Sequence, residues 1–239
     1  MNLVQYNHNF FYIFTSFLLL QIYTAFLYFI TYFLLLFYIL LLTIILSIFT
    51  KFYSIKINNL LNKIFNMILK TKRLVLRPWK ESDAECLYHF AKNPKIGPIA
   101  GWPPHKSVEE SLEIIKTVFS KRETYAITID DNAIGCVGLL FYPHTNHYWG
   151  EDGVELGYWI GEEYWGQGLV AEACEELIKH AFEDLKVNKI HASCRYENHQ
   201  SKRVLEKLGF KYFCDMKNTD LLGNETREMA MFLEKQEKE

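Results

Sequence analysis

Tyr164-Trp-Gly-Gln-Gly-Leu-Val-Ala-Glu-Ala173 places two glycines one residue apart, between an apolar run and a long amphipathic stretch. Strand, glycine loop and helix in that order make an anion site. Glycine lets the backbone approach a ligand closely, and a first helical turn offers unpaired N–H groups at the positive end of the helix dipole. The N–H groups of Gly166, Gln167, Gly168, Leu169, Val170 and Ala171 form an array suited to a diphosphate rather than a single carboxylate. No Gly-Lys-Ser/Thr follows, so the loop is not a P-loop. Ala171 stands where a dinucleotide GxGxxG loop has its third glycine.

Working outward, Val154-Glu-Leu-Gly-Tyr-Trp-Ile160 reads as the strand that feeds the loop, and Gly168–Leu185 as the helix that leaves it. Ala171, Cys174, Leu177, Ile178, Ala181 and Phe182 recur at helical spacing on the buried side. Upstream, Arg73–Trp79 alternates basic and apolar residues as a strand. Ser82-Asp-Ala-Glu85 and Ser107-Val-Glu-Glu110 have the form of capping boxes opening two helices. Gly97–Pro104 between them reads as a rigid loop. Tyr125–Ile129 and Ala133–Tyr142, joined by a polar turn, read as a hairpin. Downstream come a strand at Lys189–Arg195, a helix at Gln200–Leu208, and closing strands at Phe210–Cys214 and Arg227–Leu233. The order β-α-α-β-β-β-α-β-α-β-β predicts an α/β (α+β) domain, with a mixed, largely antiparallel sheet of about seven strands and helices on both faces.

The 239 residues carry a net charge of -2, distributed unevenly. Residues 1–66 hold three lysines and no acid. The remaining 23 basic residues and all 28 acids leave -5 on residues 67–239. An acidic domain without a basic, aromatic-laced stripe argues against nucleic acid as a partner. Five cysteines, scattered and without a CxxC, argue against a metal site and for reduced thiols in the cytoplasm.

The first 66 residues stand apart. Phe10–Thr50 has no charged residue and would span roughly 60 Å as a helix, twice a bilayer's hydrocarbon thickness. It reads as one over-long span or a two-span hairpin, with the lysines after it placing the rest in the cytoplasm. A competing reading rests on composition. Residues 1–66 contain no Gly, Pro, Asp, Glu, Arg, Cys or Trp, which is what A/T-rich DNA yields when translated upstream of a true start at Met67. Two segments are therefore expected: 1–66, an anchor or an upstream extension, and 67–239, the catalytic domain.

Four ordered segments carry a resemblance: Thr71–Trp79, Glu155–Ile160, Tyr164–Ala173, and Asn198-x-x-Ser201 through Leu208-Gly-Phe210. Together they resemble the GNAT superfamily of acyl-CoA-dependent N-acetyltransferases, in the branch of RimJ/RimL-type ribosomal-protein N-terminal acetyltransferases. Trp165 departs from the superfamily's usual Arg/Gln, as is common in that branch, and Val170 replaces a usual small residue.

The resemblance implies acetyl-CoA between the strand at 154–160 and the strand at 189–195, its diphosphate on Gly166–Ala171. Backbone groups of Tyr158, Trp159 and Ile160 would pair with the pantetheine arm, and an N–H there would hold the thioester oxygen as charge develops on it. Asn198 and Arg203 would meet the cofactor or, for Asn198, cap the helix.

Transfer to an amine needs a neutral amine and a proton for the departing thiolate. Leu205 stands where many members place the tyrosine that supplies this proton, and the resemblance assigns the role to Ser201 instead. For the base, Glu155 is the choice, against a structural carboxylate paired to an arginine such as Arg77; His144 and His147 compete through a water. Trp102, His105, His144 and His147 would line the acceptor mouth, where Glu151 and Asp152 favour a cation. The expected reaction is acetyl transfer to a primary amine by direct attack in a ternary complex, with no metal. The alternative is a catalytically silent acyl-CoA-binding sensor.

Overall fold

Alternation along Val154–Ile160 divides the interior into two cores. In the computed structural model, Val154, Leu156 and Ile160 are buried in the larger core, while Trp159 packs into the smaller one. The residues described are 3–65, 67–221 and 223–236, with side chains of the first helix described from 19 to 57. The chain divides into two compact units, Met1–Leu61 and Asn62–Glu239.

The first unit is helix α1 (Leu3–Phe65), which is continuous, so the two-span hairpin is replaced by a single helix. Leu19–Ile57 is long and apolar enough to cross a membrane, and none of it is buried. Thr24, Thr31, Thr43 and Thr50 donate their hydroxyls to the carbonyls of Gln21, Tyr28, Leu40 and Ser47 at 2.7–2.9 Å. These four hydroxyls are thus satisfied within the helix itself.

The second unit holds β1 (Leu69–Lys70), β2 (Val75–Pro78), α2 (Ala84–Ala91), α3 (Gly97–Ala100), α4 (Val108–Thr117), β3 (Thr124–Ile129), β4 (Asn132–Phe141), β5 (Val154–Ile160), α5 (Leu169–Glu183), β6 (Lys189–Arg195), α6 (His199–Lys207), β7 (Lys211–Thr219) and β8 (Glu225–Glu234). The sheet has eight strands in the order β1-β2-β3-β4-β5-β6-β8-β7, one more than expected because Leu69–Lys70 adds a short edge. Every neighbouring pair is antiparallel except β5 and β6, which run parallel.

Local chemistry explains most boundaries. Ser107 caps α4 by accepting from the Glu110 N–H at 3.2 Å. The expected box at Ser82 is replaced by a 3₁₀ turn, Glu81–Asp83. Asp83 accepts from the Lys80 N–H at 2.8 Å and forms a buried pair with Arg77 at 2.7 Å. The β3–β4 turn puts Asp130 and Asp131 at φ 49° and 63°, the left-handed pair that a tight hairpin requires. Gly97–Ala100, expected as loop, winds one turn with Pro98 in its first positions.

The larger core joins Leu76, Ile127, Val137 and Leu139 of the sheet to Leu169, Cys174, Leu177 and Ala181 of α5 and Leu205 of α6. Burial of each large aliphatic chain there contributes about 1.5–3 kcal/mol. The smaller core lies on the other face, where α2 and α4 pack with Trp79, Phe119 and Trp159. The sheet thus presents two faces to two sets of helices, and the strand bearing the site serves both.

Candidate active site

β5 and β6 pair at one position only, Glu155 with His191. β5 continues to Ile160 and β6 to Arg195, so beyond that pair the two strands separate. The Gly161 N–H donates to Ile134 O at 2.9 Å. Peptide groups alternate sides along a strand, so those of Trp159 also face β4, and those of Tyr158 face the split. Of the three expected main-chain contacts, Trp159 is therefore committed to β4. The Ile160 carbonyl accepts from the Trp165 indole at 3.0 Å. The Tyr158 N–H and carbonyl and the Ile160 N–H remain directed into the opening.

The glycine loop closes the same opening. Gly166 and Gly168 take φ of 75° and 73°, where a side chain is strained, and a Cβ at Gly166 would meet nothing within 4 Å. The N–H groups from Gly166 to Ala171 have no acceptor among the described residues; Glu172 is the first to find one, Gly168 O at 3.1 Å. An open row of donors at a helix start fits a bound diphosphate.

Beside it lies a cavity of about 400 Å³. Tyr158, Trp159, Ile160, Gly166, Gly168, Leu169, Val170, Ala171, Asn198, Ser201 and Arg203 all line it. Gln167 does not: its amide donates to Glu163 O at 2.9 Å and its carbonyl accepts from Arg73 at 3.1 Å.

Two cations escaped the sequence reading. Arg73 is paired with Glu172 at 2.6 Å, and its guanidinium and the Lys207 ammonium come within about 4 Å of a Cβ built on Gly168. Arg73 has a visible signal, the basic residue opening the Thr71–Trp79 segment; Lys207 has none. Ile96, with Ile99 and Ala100 from the segment expected as loop, adds an apolar wall.

Ser201 lies in the first turn of α6, where its N–H donates to the Asn198 side chain at 3.0 Å. Asn198 thus caps the helix, one of its two expected roles. The Ser201 hydroxyl is 2.9 Å from the Tyr158 hydroxyl, which also donates to Ser201 O at 3.1 Å. Burial holds the Tyr158 phenol above its usual range, so it stays protonated. Leu205 is fully buried one turn further along.

The other face of the split holds the remaining expected residues. Glu155, expected to open toward the acceptor as base, is 2 % exposed. Its oxygens accept from the Asn146 N–H at 2.8 Å, the Asn146 amide at 2.9 Å, the His147 N–H at 3.4 Å and the Trp149 indole at 3.0 Å. Four donors occupy this carboxylate, which anchors the 143–153 loop, while Arg77 is engaged by Asp83 and Asp131.

His147, expected as a rival base and at the acceptor mouth, is half-buried. Its Nε2 lies 3.1 Å from Glu228 and 3.2 Å from Ser193. His144 is exposed. Trp102 packs edge-on against Trp159 and at a tilt against His105. His105 is bonded to Ser111 at 2.8 Å, and burial lowers its pKa. Trp102, His105, His144 and His147 all lie off the cavity lining.

Burial alone would raise the Glu228 carboxyl, but hydrogen bonds from His147, Ser193 and Asn218 outweigh it and hold it at about 2. Burial works against the charged form of His147, yet Glu228 and the charge of Glu155 prevail and raise it. Burial pushes the Cys136 thiol up to about 12 and Cys194 to about 11, so neither is a ready nucleophile.

A sheet opened at one parallel pair, with a donor-lined glycine loop across the opening, is the frame of an acetyltransferase. The chain belongs to the acetyltransferase (GNAT) domain family, whose profile matches residues 73–211. It is 27% identical over 150 residues to the uncharacterised N-acetyltransferase p20 of Bacillus licheniformis, covering 60% of this chain and 82% of that one. It is 28% identical over 119 residues to the ribosomal-protein-serine acetyltransferase of Escherichia coli, covering 50% of this chain and 63% of the relative, in keeping with the expected branch. Its fold resembles that of Mycobacterium smegmatis RimJ, solved in complex with CoA-disulfide, with TM-score 0.58 and 17% identity, covering 70% of this chain and 87% of that one.

Proposed function

We propose that residues 67–239 transfer the acetyl group of acetyl-CoA to a primary amine, a protein N-terminus or a small amine, by direct attack in a ternary complex. The observation that carries this reading is the split between β5 and β6, with unpaired N–H donors at one end and the Tyr158–Ser201 pair inside it. Acetyl-CoA supplies an activated thioester carbonyl and a thiolate leaving group. Gly166–Ala171 hold its diphosphate, and Arg73, Arg203 and Lys207 balance the phosphate charge. The Tyr158 and Ile160 main chain orients the donor arm as an added strand would.

Ser201 lends a proton to the departing sulfur. Asn198 fixes the helix turn that carries Ser201, and Tyr158 orients its hydroxyl. On the opposite face Trp102, His105, His144 and His147 frame the acceptor mouth, with Glu151 and Asp152 on the same loop as the two last histidines drawing a cation toward it. Glu155 shapes that loop from beneath.

Helix α1 supports a further element, anchorage of the domain at a membrane through residues 10–50. In flotation of the full chain with lipid vesicles, recovery with the lipid supports anchorage and recovery in the pellet refutes it.

Release of free thiol from acetyl-CoA, measured with the full chain in detergent against peptide and small-molecule amines, tests the transfer. Turnover with an amine upholds the reading. Binding of acetyl-CoA without turnover on any amine returns the chain to a sensor.

A further inference from the structure

The sheet face away from the cavity carries a second polar constellation. β5 and β6 are in register at Glu155 and His191, so Gly157 and Ser193 are the residues that would face each other next, where the strands have parted. Gly157 has open space around it, since a Cβ there would meet nothing within 4 Å. Ser193 and Glu228, from neighbouring strands, sit beside this gap with their hydroxyl and carboxylate 2.8 Å apart. His147 descends onto them from the 143–153 loop.

The hydrogen bonds fix the tautomer. Glu228 Oε1 accepts from Asn218 and Thr226, both at 3.2 Å, and Oε2 accepts from Ser193, so the carboxylate is ionised and oriented. Nε2 of His147, 3.1 Å from Oε2, therefore carries a hydrogen and donates it. Nδ1 makes no hydrogen bond among the described residues and is not shut away from solvent. A carboxylate holding one imidazole nitrogen while the other stays open is the arrangement of a general base.

We propose that His147, positioned by Glu228, is the base that deprotonates the incoming ammonium on the acceptor side of the split. This rests on the amine-transfer reading above. One ammonium proton passes to Nδ1 while the Nε2 hydrogen stays on Nε2, donated to Glu228. The freed lone pair forms the C–N bond to the acetyl carbon as the C–S bond breaks. The sulfur takes the proton lent by Ser201, the second amine proton replaces it, and the imidazolium returns its proton to water. His147 is the catalytic residue; Glu228 and Ser193 are positioning residues.

The groups facing His147 are Glu228 from β8, Ser193 from β6, Glu155 from β5 and Trp149 from its own loop, with Asn218 of β7 behind Glu228 and His191 stacked on Trp149 at 4.5 Å. Only the two glutamates among them are anionic, and both favour imidazolium. The acidic limb of the rate profile should therefore lie above the ordinary histidine range.

The test compares the full chain with His147→Gln and Glu228→Gln, reading thiol release with a peptide amine and with an alkoxyamine, which is already neutral at neutral pH. Thermal shift with CoA checks the fold and the donor site. His147→Gln should lose about 100-fold or more with the peptide amine and under about tenfold with the alkoxyamine. Glu228→Gln should move the acidic limb to lower pH. An equal loss with both nucleophiles, or no loss, overturns the base. If His147→Gln fails to fold, an unmoved limb in Glu228→Gln overturns it alone. Unaltered chain inert toward every nucleophile instead overturns the transfer reading, and the base with it.

Discussion

The Tyr158 hydroxyl lies 2.9 Å from the Ser201 hydroxyl, joining the strand that bounds the split to the helix that closes it. Tyr158 has one proton to give, so the pair sets the direction of the serine hydrogen. Ser201→Ala should lower kcat by about 100-fold or more with the Km for acetyl-CoA nearly unchanged. Tyr158→Phe should lower kcat less and cost about 1 kcal/mol of stability for the lost hydrogen bond. Steady-state kinetics and thermal unfolding separate the two; equal effects on kcat would remove the distinction between acid and orienter.

Leu205, where the resemblance leads one to expect the tyrosine of many superfamily members, is 0 % exposed. Leu205→Tyr should not accelerate the reaction. A larger ring in that packed site should cost about 1–3 kcal/mol. A rise in kcat without loss of stability would show that the serine had merely replaced a missing tyrosine.

Gly168 pairs a left-handed φ of 73° with an open donor row. Gly168→Asp should weaken CoA binding by about 100-fold, because it sets a carboxylate against the phosphate site at a cost of about 3 kcal/mol. The fold should survive, since the nearest atoms to its new Cβ are the far ends of Arg73 and Lys207. Calorimetric titration with CoA and circular dichroism check the two halves.

The glycine loop was legible because its chemistry is local: two glycines, a strand before and a helix after. Ser201 was singled out by the resemblance alone, and the structure brings it to the cavity beside Tyr158. The base was not legible. Glu155 alternates correctly along its strand, but whether a carboxylate is free or saturated depends on donors from a different segment, here Asn146 and Trp149. His147 and Glu228 are 81 residues apart, and no pattern in either segment announces the other. β1 and α3 were missed because two and four residues are too few to show a period.

Arg73 bridges Glu172 and the Gln167 carbonyl, so it holds the loop, and its guanidinium comes within about 4 Å of a Cβ built on Gly168. Its side chain is 45% exposed, and the pair should add under about 1 kcal/mol to stability. Arg73→Met should instead raise the Km for acetyl-CoA about tenfold, leave kcat near its starting value, and flatten the salt dependence of that Km. A fall in kcat with unchanged Km would contradict this.

Glu228 sits near 2 against an ordinary value of 4.5. A carboxyl depressed on folding stabilises the native state above its unfolded pKa and loses that contribution as pH falls through the folded value. Stability should therefore decline from about pH 4.5 to about pH 2, by roughly 1–3 kcal/mol from this group. Urea unfolding at stepped pH should show a shallower decline in Glu228→Gln; parallel curves would place the acid sensitivity elsewhere.

The single Glu155–His191 pair also makes the sheet a seam. Strands β1 to β5 form one panel and β6 to β8 another, joined within the sheet by one rung and outside it by the shared core, the Tyr158–Ser201 bond and the contacts of His147 and Trp149 with Glu228 and His191. A ligand laid into the gap would supply the missing rungs. Amide exchange at Tyr158 and Ile160 should then slow on binding, and thermal unfolding should move to higher temperature.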